Sequence, residues 1–309
     1  MKHQSIVGVG FVALAVFGCV TAPQYVMGKY EGAAAKVAPK HVIFIGWDGF
    51  AGNTVEPANI PTLRKLQKEG AWTIHSRSIL PSSSSCNWHS LFTCSASEQH
   101  GYISWNSEKP KFPASMTMEN GLYPDIMYML RKQKPSAEIG FIYSWNGMGF
   151  AADTNVCSYV EWMSQPNITA RAVQYIKEKK PTFLTIYYSS PDIEGHGYGW
   201  SSKNYLDVLT RRDADVQRVL DAIKEAGMLE DTVVMVSSDH GGQGKGHGGP
   251  TLSEMERPVF LWGKSVKRGY ELKFPGAIYD TGATLAALLG IEPPACWIGR
   301  PFDEAFEAE

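Results

Sequence analysis

The stretch "VVMVSSDHGGQGKGHGG", Val233 to Gly249, ends an apolar run in Asp239 and His240 and sets His247 among glycines. Two other apolar runs end in the same way. Asp48 closes "HVIFIGWDG", and Asp192 and His196 lie in "PDIEGHGYG", directly after "TFLTIYYSS". A serine cluster, Ser82 to Ser85, follows the extended segment 71–80. Any one of these residues alone reads as a turn or a helix cap. Together, three carboxylates, three imidazoles and a hydroxyl form a ligand set for metal ions. Mixed oxygen and nitrogen donors suit zinc, with Mn²⁺ or Fe as alternatives, and the glycines let backbone pack close to the ions. The set exceeds one tetrahedral catalytic site, which takes three protein ligands and a water, so it points to two ions. Two ions about 4 Å apart suit in-line displacement at phosphorus, and coordination makes a serine alkoxide accessible at neutral pH.

Such residues need a scaffold that brings them to one place. From Lys40 onward, apolar strands alternate with helical periodicity. Strands are expected at 41–49, 137–145, 182–190, 232–239 and 258–263, and helices at 61–70, 87–96, 123–133, 167–180, 204–227 and 281–290. Continuous apolar strands between helices predict an α/β fold with a mostly parallel central sheet sandwiched by helices. In open sheets of this kind, ligands bind outside the carboxyl ends of the strands. All the residues singled out above fall there.

The 309-residue chain is 44% hydrophobic, enough to bury a substantial core, and its net charge of -2 leaves no basic field for duplex nucleic acid. Residues 1–22 read as a signal peptide. A short basic start precedes an apolar run too short for a comfortable transmembrane helix, and the run closes on Cys19 in a lipoprotein-type box. Export to a bacterial periplasm, or membrane anchoring through a Cys19 lipid, is expected. A linker over 23–38 and a single catalytic domain over 39–309, with an insertion near 103–165, complete the expected layout. Cys86 and Cys94, about 12 Å apart along one expected helix, cannot bond each other. For Cys157 and Cys296, a bridge and free thiols are equally open. His41 and His75 read as strand residues, and His89 as a packing residue on the helix after the serines. Trp47, Trp105 and Trp145 read as core or as the walls of a leaving-group pocket.

"IGWDGF", "LPSSSSCNWHSLFTCSASEQHGY", "DIEGHGYG", "SSDHGGQGKGHGG" and "YDTGATLAALLGIEPP" resemble, in that order, motifs of the alkaline phosphatase superfamily. The branch they are most similar to is that of the type I phosphodiesterases and nucleotide pyrophosphatases. The resemblance implies an alkaline-phosphatase-like fold and an exported hydrolase of phosphodiester or pyrophosphate bonds, acting on a small phosphodiester or nucleotide. It implies two Zn²⁺, one held by Asp48, Ser84, Asp239 and His240 and the other by Asp192, His196 and His247. Asn87 sets the register that makes Ser84 the nucleophile, and the His100–Gly101 pair points to Asn106 as the donor to a phosphoryl oxygen. The mechanism implied is double displacement through a phosphoseryl intermediate.

Departures from the pattern narrow the choice. A sulfatase needs C/S-x-P-x-R, whereas the chain reads "CNWHS" from Cys86. No Arg follows Ser84 in its expected helix to clamp the extra charge of a monoester, which favours diesters. The alternatives are another hydrolase or transferase of the superfamily (a phosphomonoesterase, a phospholipid head-group or phosphonate hydrolase, a sulfatase-like enzyme) and a metal-stabilised binding protein without turnover.

Overall fold

The computed structural model describes residues 26–307. Its strands are β1 (His41–Trp47), β2 (Ala71–Arg77), β3 (Ile139–Tyr143), β4 (Tyr159–Trp162), β5 (Phe183–Tyr188), β6 (Thr232–Ser237), β7 (Glu256–Gly263) and β8 (Tyr270–Glu271). The helices are α1 (Ala33–Val37), α2 (Pro61–Glu69), α3 (Ser84–Phe92), α4 (Ser97–His100), α5 (Ile126–Gln133), α6 (Gln165–Lys179), α7 (Asp192–Tyr198), α8 (Lys203–Glu225), α9 (Leu252–Met255) and α10 (Ile278–Leu288).

The strands form one sheet in the order β4-β3-β5-β1-β6-β7-β2-β8. The pairs from β4 to β6 are all parallel, β7 is antiparallel to both β6 and β2, and β8 is parallel to β2. Two antiparallel steps return β2 to the direction of β1. The carboxyl ends of β1, β2, β5 and β6 therefore share one edge, and the mostly parallel expectation holds.

Strand alternation divides the core into two layers. Val42 and Phe44 of β1 face one layer, with Trp88, Leu91 and Phe92 of α3 and Ile278 and Leu285 of α10. Ile43, Ile45 and Trp47 face the other, with residues of α2, α6 and α8. Both faces of the sheet are covered, which is why its central strands read as continuous apolar runs.

The expected layout changes in four places. Helix α3 starts at Ser84, not at 87, so Ser84 and Ser85 are part of its first turn and Ser83 is its N-cap. The segment 192–198 is a helix rather than a loop. The second half of the expected 103–165 insertion supplies β3 and β4 to the central sheet. Within the expected linker, α1 buries Ala34 and Val37, and Asp303 Oδ1 accepts the Ala34 N–H at 2.9 Å. The expected signal peptide and Cys19 lie outside the described residues. Cys86, Cys94, Cys157 and Cys296 are all free thiols.

Candidate active site

Asp48 follows β1 directly, and Gly49 makes the turn there. Gly49 has φ +71°, and a Cβ on it would stand 2.9 Å from the Asp192 Cα. Only glycine lets these two loops meet so closely. The Gly49 N–H also donates to Asp239 Oδ1 at 3.0 Å, so the turn after β1 and the turn after β6 fix each other.

Ser84 is the first residue of α3, where the helix dipole favours a developing negative charge. Its Oγ donates to Asp48 Oδ1 at 3.3 Å and lies 3.1 Å from His240 Nε2. Ser82 and Ser85 have different partners. Ser82 Oγ donates to Gly249 O at 2.7 Å, and Ser82 O lies 2.9 Å from His247 Nδ1. Ser85 Oγ donates to Ser107 O at 3.0 Å. Of Ser82, Ser84 and Ser85, only Ser84 turns its hydroxyl to the cluster.

The three imidazoles share one arrangement. Nδ1 of His196 lies 2.9 Å from Lys245 O, that of His240 2.8 Å from Gly241 O, and that of His247 2.9 Å from Ser82 O. Each carbonyl fixes the proton on Nδ1 and leaves the Nε2 lone pair as the ligand atom. His240 Nε2 is 3.5 Å from Asp48 Oδ1 and 3.2 Å from Asp239 Oδ2. Nε2 of His196 and of His247 each lie 3.6 Å from Asp192 Oδ1. The His240 and His247 rings stack at 3.9 Å.

Asp192 Oδ1 and Asp239 Oδ2 are buried and accept no hydrogen bond. Such atoms are expensive unless a cation meets them. Ligand atoms of Asp48, Asp239 and His240 lie within 4.8 Å of one another, as do those of Asp192, His240 and His247. The residues thus fit a metal centre of two adjoining parts, with His240 between them. His196 stands at the open side of the second part, half-exposed.

With protein charges alone, burial is the first cause of every shift here. It raises the Asp48 carboxyl against hydrogen bonds that would lower it, and raises Asp192 and Asp239 well above the ordinary range, with Asp48 adding repulsion to both. It lowers His240 and His247 to about 3, so both rings are neutral ligands at physiological pH. A bound dication inverts the carboxylate preference and leaves that of the imidazoles in place.

The sequence did not reveal what holds Asp48. Trp88 Nε1 donates to its Oδ2 at 3.1 Å, and the Tyr187 hydroxyl donates to the same oxygen, leaving Oδ1 for Ser84 and His240. Tyr187 lies opposite Gly46 in the β1–β5 register. Asn106 is exposed in the loop after α4, and its neighbour Trp105, not Asn106 itself, lines the cavity over Ser84. Trp145 lines that cavity too, whereas Trp47 is fully buried core.

An α/β sheet carrying a carboxylate–imidazole cluster and a serine at its carboxyl edge defines a protein with a metal-centre architecture at a helix start. The chain belongs to the type I phosphodiesterase/nucleotide pyrophosphatase family, whose model matches residues 42–248. It is 24% identical to human ectonucleotide pyrophosphatase/phosphodiesterase family member 1 over 59% of this chain and 21% of that one. It is 25% identical to human bis(5'-adenosyl)-triphosphatase ENPP4 over 70% of this chain and 50% of that one. The chain therefore spans half or less of the length of these curated relatives. Murine ectonucleotide pyrophosphatase/phosphodiesterase 5, solved as an inactive variant with AMP, superposes with a TM-score of 0.70 at 14% identity. The match covers 87% of this chain and 100% of that one. This likeness shows the alkaline-phosphatase-like fold.

Proposed function

We propose that the chain is an exported, metal-dependent phosphodiesterase/nucleotide pyrophosphatase that works by double displacement through Ser84. The observation that carries this reading is the convergence of the Ser84 hydroxyl on Asp48 Oδ1 and His240 Nε2, beside two buried carboxylate oxygens that accept no hydrogen bond. Asp48, Ser84, Asp239 and His240 would hold one ion and Asp192, His196 and His247 the other, zinc by ligand type. When bound, the ions neutralise the three carboxylates and acidify the serine hydroxyl and a water.

Ser84 Oγ attacks phosphorus at the start of α3, and the bond to the leaving oxygen breaks. That oxygen departs with the electron pair and gains a proton, leaving a phosphoseryl ester. Water then attacks the same phosphorus, the Ser84–phosphorus bond breaks, and Ser84 recovers its proton. Trp88 and Tyr187 keep Asp48 oriented throughout. Asn106 enters the proposal as a neutral donor to a phosphoryl oxygen; it is exposed and does not line the cavity, so unchanged turnover by Asn106→Ala would remove it from the mechanism. The expected signal peptide supports a periplasmic or Cys19-anchored location, which fractionation and lipid labelling of a Cys19→Ser variant would check.

The decisive experiment is acid quenching during zinc-supplemented turnover of bis-p-nitrophenyl phosphate, followed by peptide mass analysis. A p-nitrophenyl phosphate adduct on Ser84, absent from Ser84→Ala, is the expected result. Turnover retained by Ser84→Ala would overturn the mechanism. Dominant hydrolysis of p-nitrophenyl phosphate or p-nitrophenyl sulfate would move the protein to another branch of the superfamily.

A further inference from the structure

Six of the nine residues from Gly241 to Gly249 are glycine, and His247 is carried among them. Glycine has the most conformational freedom to lose on ordering, so a loop of this composition does not hold a ligand in place by itself. Within it, Gln243 and Gly246 exchange backbone hydrogen bonds at 2.8 and 3.0 Å. Other contacts fix it from outside. The Trp200 N–H donates to Gly244 O at 2.8 Å and Lys245 Nζ donates to Gly197 O at 2.9 Å, which ties the first half of the loop to α7 and the turn after it.

The half that carries His247 is tied to Ser82. Ser82 O accepts the His247 Nδ1–H at 2.9 Å, and Ser82 Oγ accepts the Gly248 N–H at 3.1 Å and donates to Gly249 O at 2.7 Å. One fully buried serine thus engages three consecutive residues. Gly248 has φ +112°, and a Cβ on it would stand 3.3 Å from Ser83 Oγ, so the loop backbone lies against the serine run. Asn87 holds that run from its other side. Its Oδ1 accepts the Ile79 N–H at 2.8 Å, and its Nδ2 donates to Pro81 O at 3.1 Å and to Ser83 O at 3.0 Å. Loss of the Ser82 hydroxyl would therefore leave the serine run in place and release the loop.

We infer that Ser82 is a positioning residue: its hydroxyl fixes the loop so that His247 Nε2 stays in the second part of the metal centre. The inference rests on the reading of Ser84 and its cluster given above. Ser82 is not part of the lining of the cavity over Ser84, so it acts through His247. A ligand atom has to be held to within about 0.5 Å to serve an ion. Asp239 is held by the Gly49 N–H, and Asp48 by Trp88 and Tyr187, none of which belongs to this loop. The effect of Ser82 is therefore confined to the ion that His247 binds.

The test is stepwise zinc titration of metal-free wild type, Ser82→Ala and His247→Ala in competition with a chromophoric chelator. Wild type should bind two zinc ions. Ser82→Ala should weaken one step about tenfold, the same step that His247→Ala weakens, and change the other by less than about threefold. A general loosening of the fold would weaken both steps alike. Cobalt-loaded Ser82→Ala should show visible absorption bands displaced from wild type toward those of cobalt-loaded His247→Ala, a shift that a merely structural role would not produce.

Zinc binding by Ser82→Ala that matches wild type at both steps, or that is weakened equally at both, would overturn the inference. The functional reading fails in a different way. Unaltered zinc binding by Ser82→Ala, in a protein that hydrolyses bis-p-nitrophenyl phosphate through Ser84, overturns the positioning role and keeps the enzyme. Selective weakening, in a protein that turns over no phosphodiester, keeps the positioning role and overturns the enzyme. Wild type that binds no zinc overturns both.

Discussion

His240 turns its Nε2 to within 3.1 Å of Ser84 Oγ while its Nδ1 is held by the Gly241 carbonyl at 2.8 Å. A neutral imidazole in this tautomer offers a lone pair, not a proton, to the space beside the serine. That makes His240 a ligand to whatever activates Ser84 rather than its acid. Asp239, immediately before it in the chain, brings an unpaired oxygen to the same space.

The first prediction follows from that pair. Ser84→Ala should reduce kcat by at least about 10³-fold, since of the serine hydroxyls it is that of Ser84 that meets Asp48 and His240. Thermal stability should stay close to wild type, and metal analysis should still find bound zinc, because six of the seven proposed ligands remain. A fall of less than tenfold in steady-state assays would move the nucleophile elsewhere.

Metal removal should destabilise the protein more at high pH. Without cations, burial and mutual repulsion raise Asp48, Asp192 and Asp239. The folded state then holds protons that the unfolded chain releases, so stability falls as pH rises above the ordinary carboxylate range. His240 and His247, lowered to about 3, act in the opposite sense between about 3 and 6.5 and contribute no further slope above that. Calorimetry of metal-stripped and reloaded protein should therefore show a Tm gap that widens from pH 6.5 to 8.5. A constant gap would mean that the carboxylates are not the ligands.

Tyr187→Phe tests the clamp on Asp48. The ring stays in the cavity wall, but Asp48 Oδ2 keeps only the Trp88 donor. Zinc affinity, measured by competition with a chromophoric chelator, should fall about 10–100-fold. Excess zinc should recover most of the activity. Unchanged affinity would reduce Tyr187 to a wall residue.

The residues at the strand ends were legible because an apolar run that stops at a charged residue marks an edge of the sheet. Asp48, Asp192, Asp239 and His240 were found by that rule, and Ser84 by its place before Asn87. Tyr187 could not be found in this way, because its role depends on lying opposite Gly46 on a strand about 140 residues away, and register is a tertiary property. Helix α7 was hidden by its glycines. Gly195 is needed where it is, since a Cβ there would fall 2.7 Å from the Trp200 ring, but "PDIEGHGYG" by itself reads as a turn. Strand β4 is four residues of alternating exposure at the edge of the sheet, too short to announce itself. The Ala-rich α1 looked like a linker because its stability comes from the core it packs on and from Asp303, not from its own five residues.

Asp125 carries the last prediction, away from the metal residues. It caps α5, accepting the Met127 N–H at 2.8 Å and the Tyr128 N–H at 3.1 Å on Oδ1, and it takes the Asp153 N–H on Oδ2 at 3.0 Å. Burial nevertheless pushes its carboxyl up to about 7. The folded state therefore holds a proton at pH 5 that the unfolded chain has already lost, and the stability this brings disappears as pH rises to 7. Asn cannot titrate. Asp125→Asn should be less stable than wild type at pH 5, since its amide nitrogen cannot accept the Asp153 N–H. The gap should then close by about 2 kcal/mol between pH 5 and pH 7 and stay level above that. Urea unfolding at pH 5, 6, 7 and 8 measures it. Two curves that stay parallel across that range would show that Asp125 is ionised throughout and that its three N–H donors outweigh its burial.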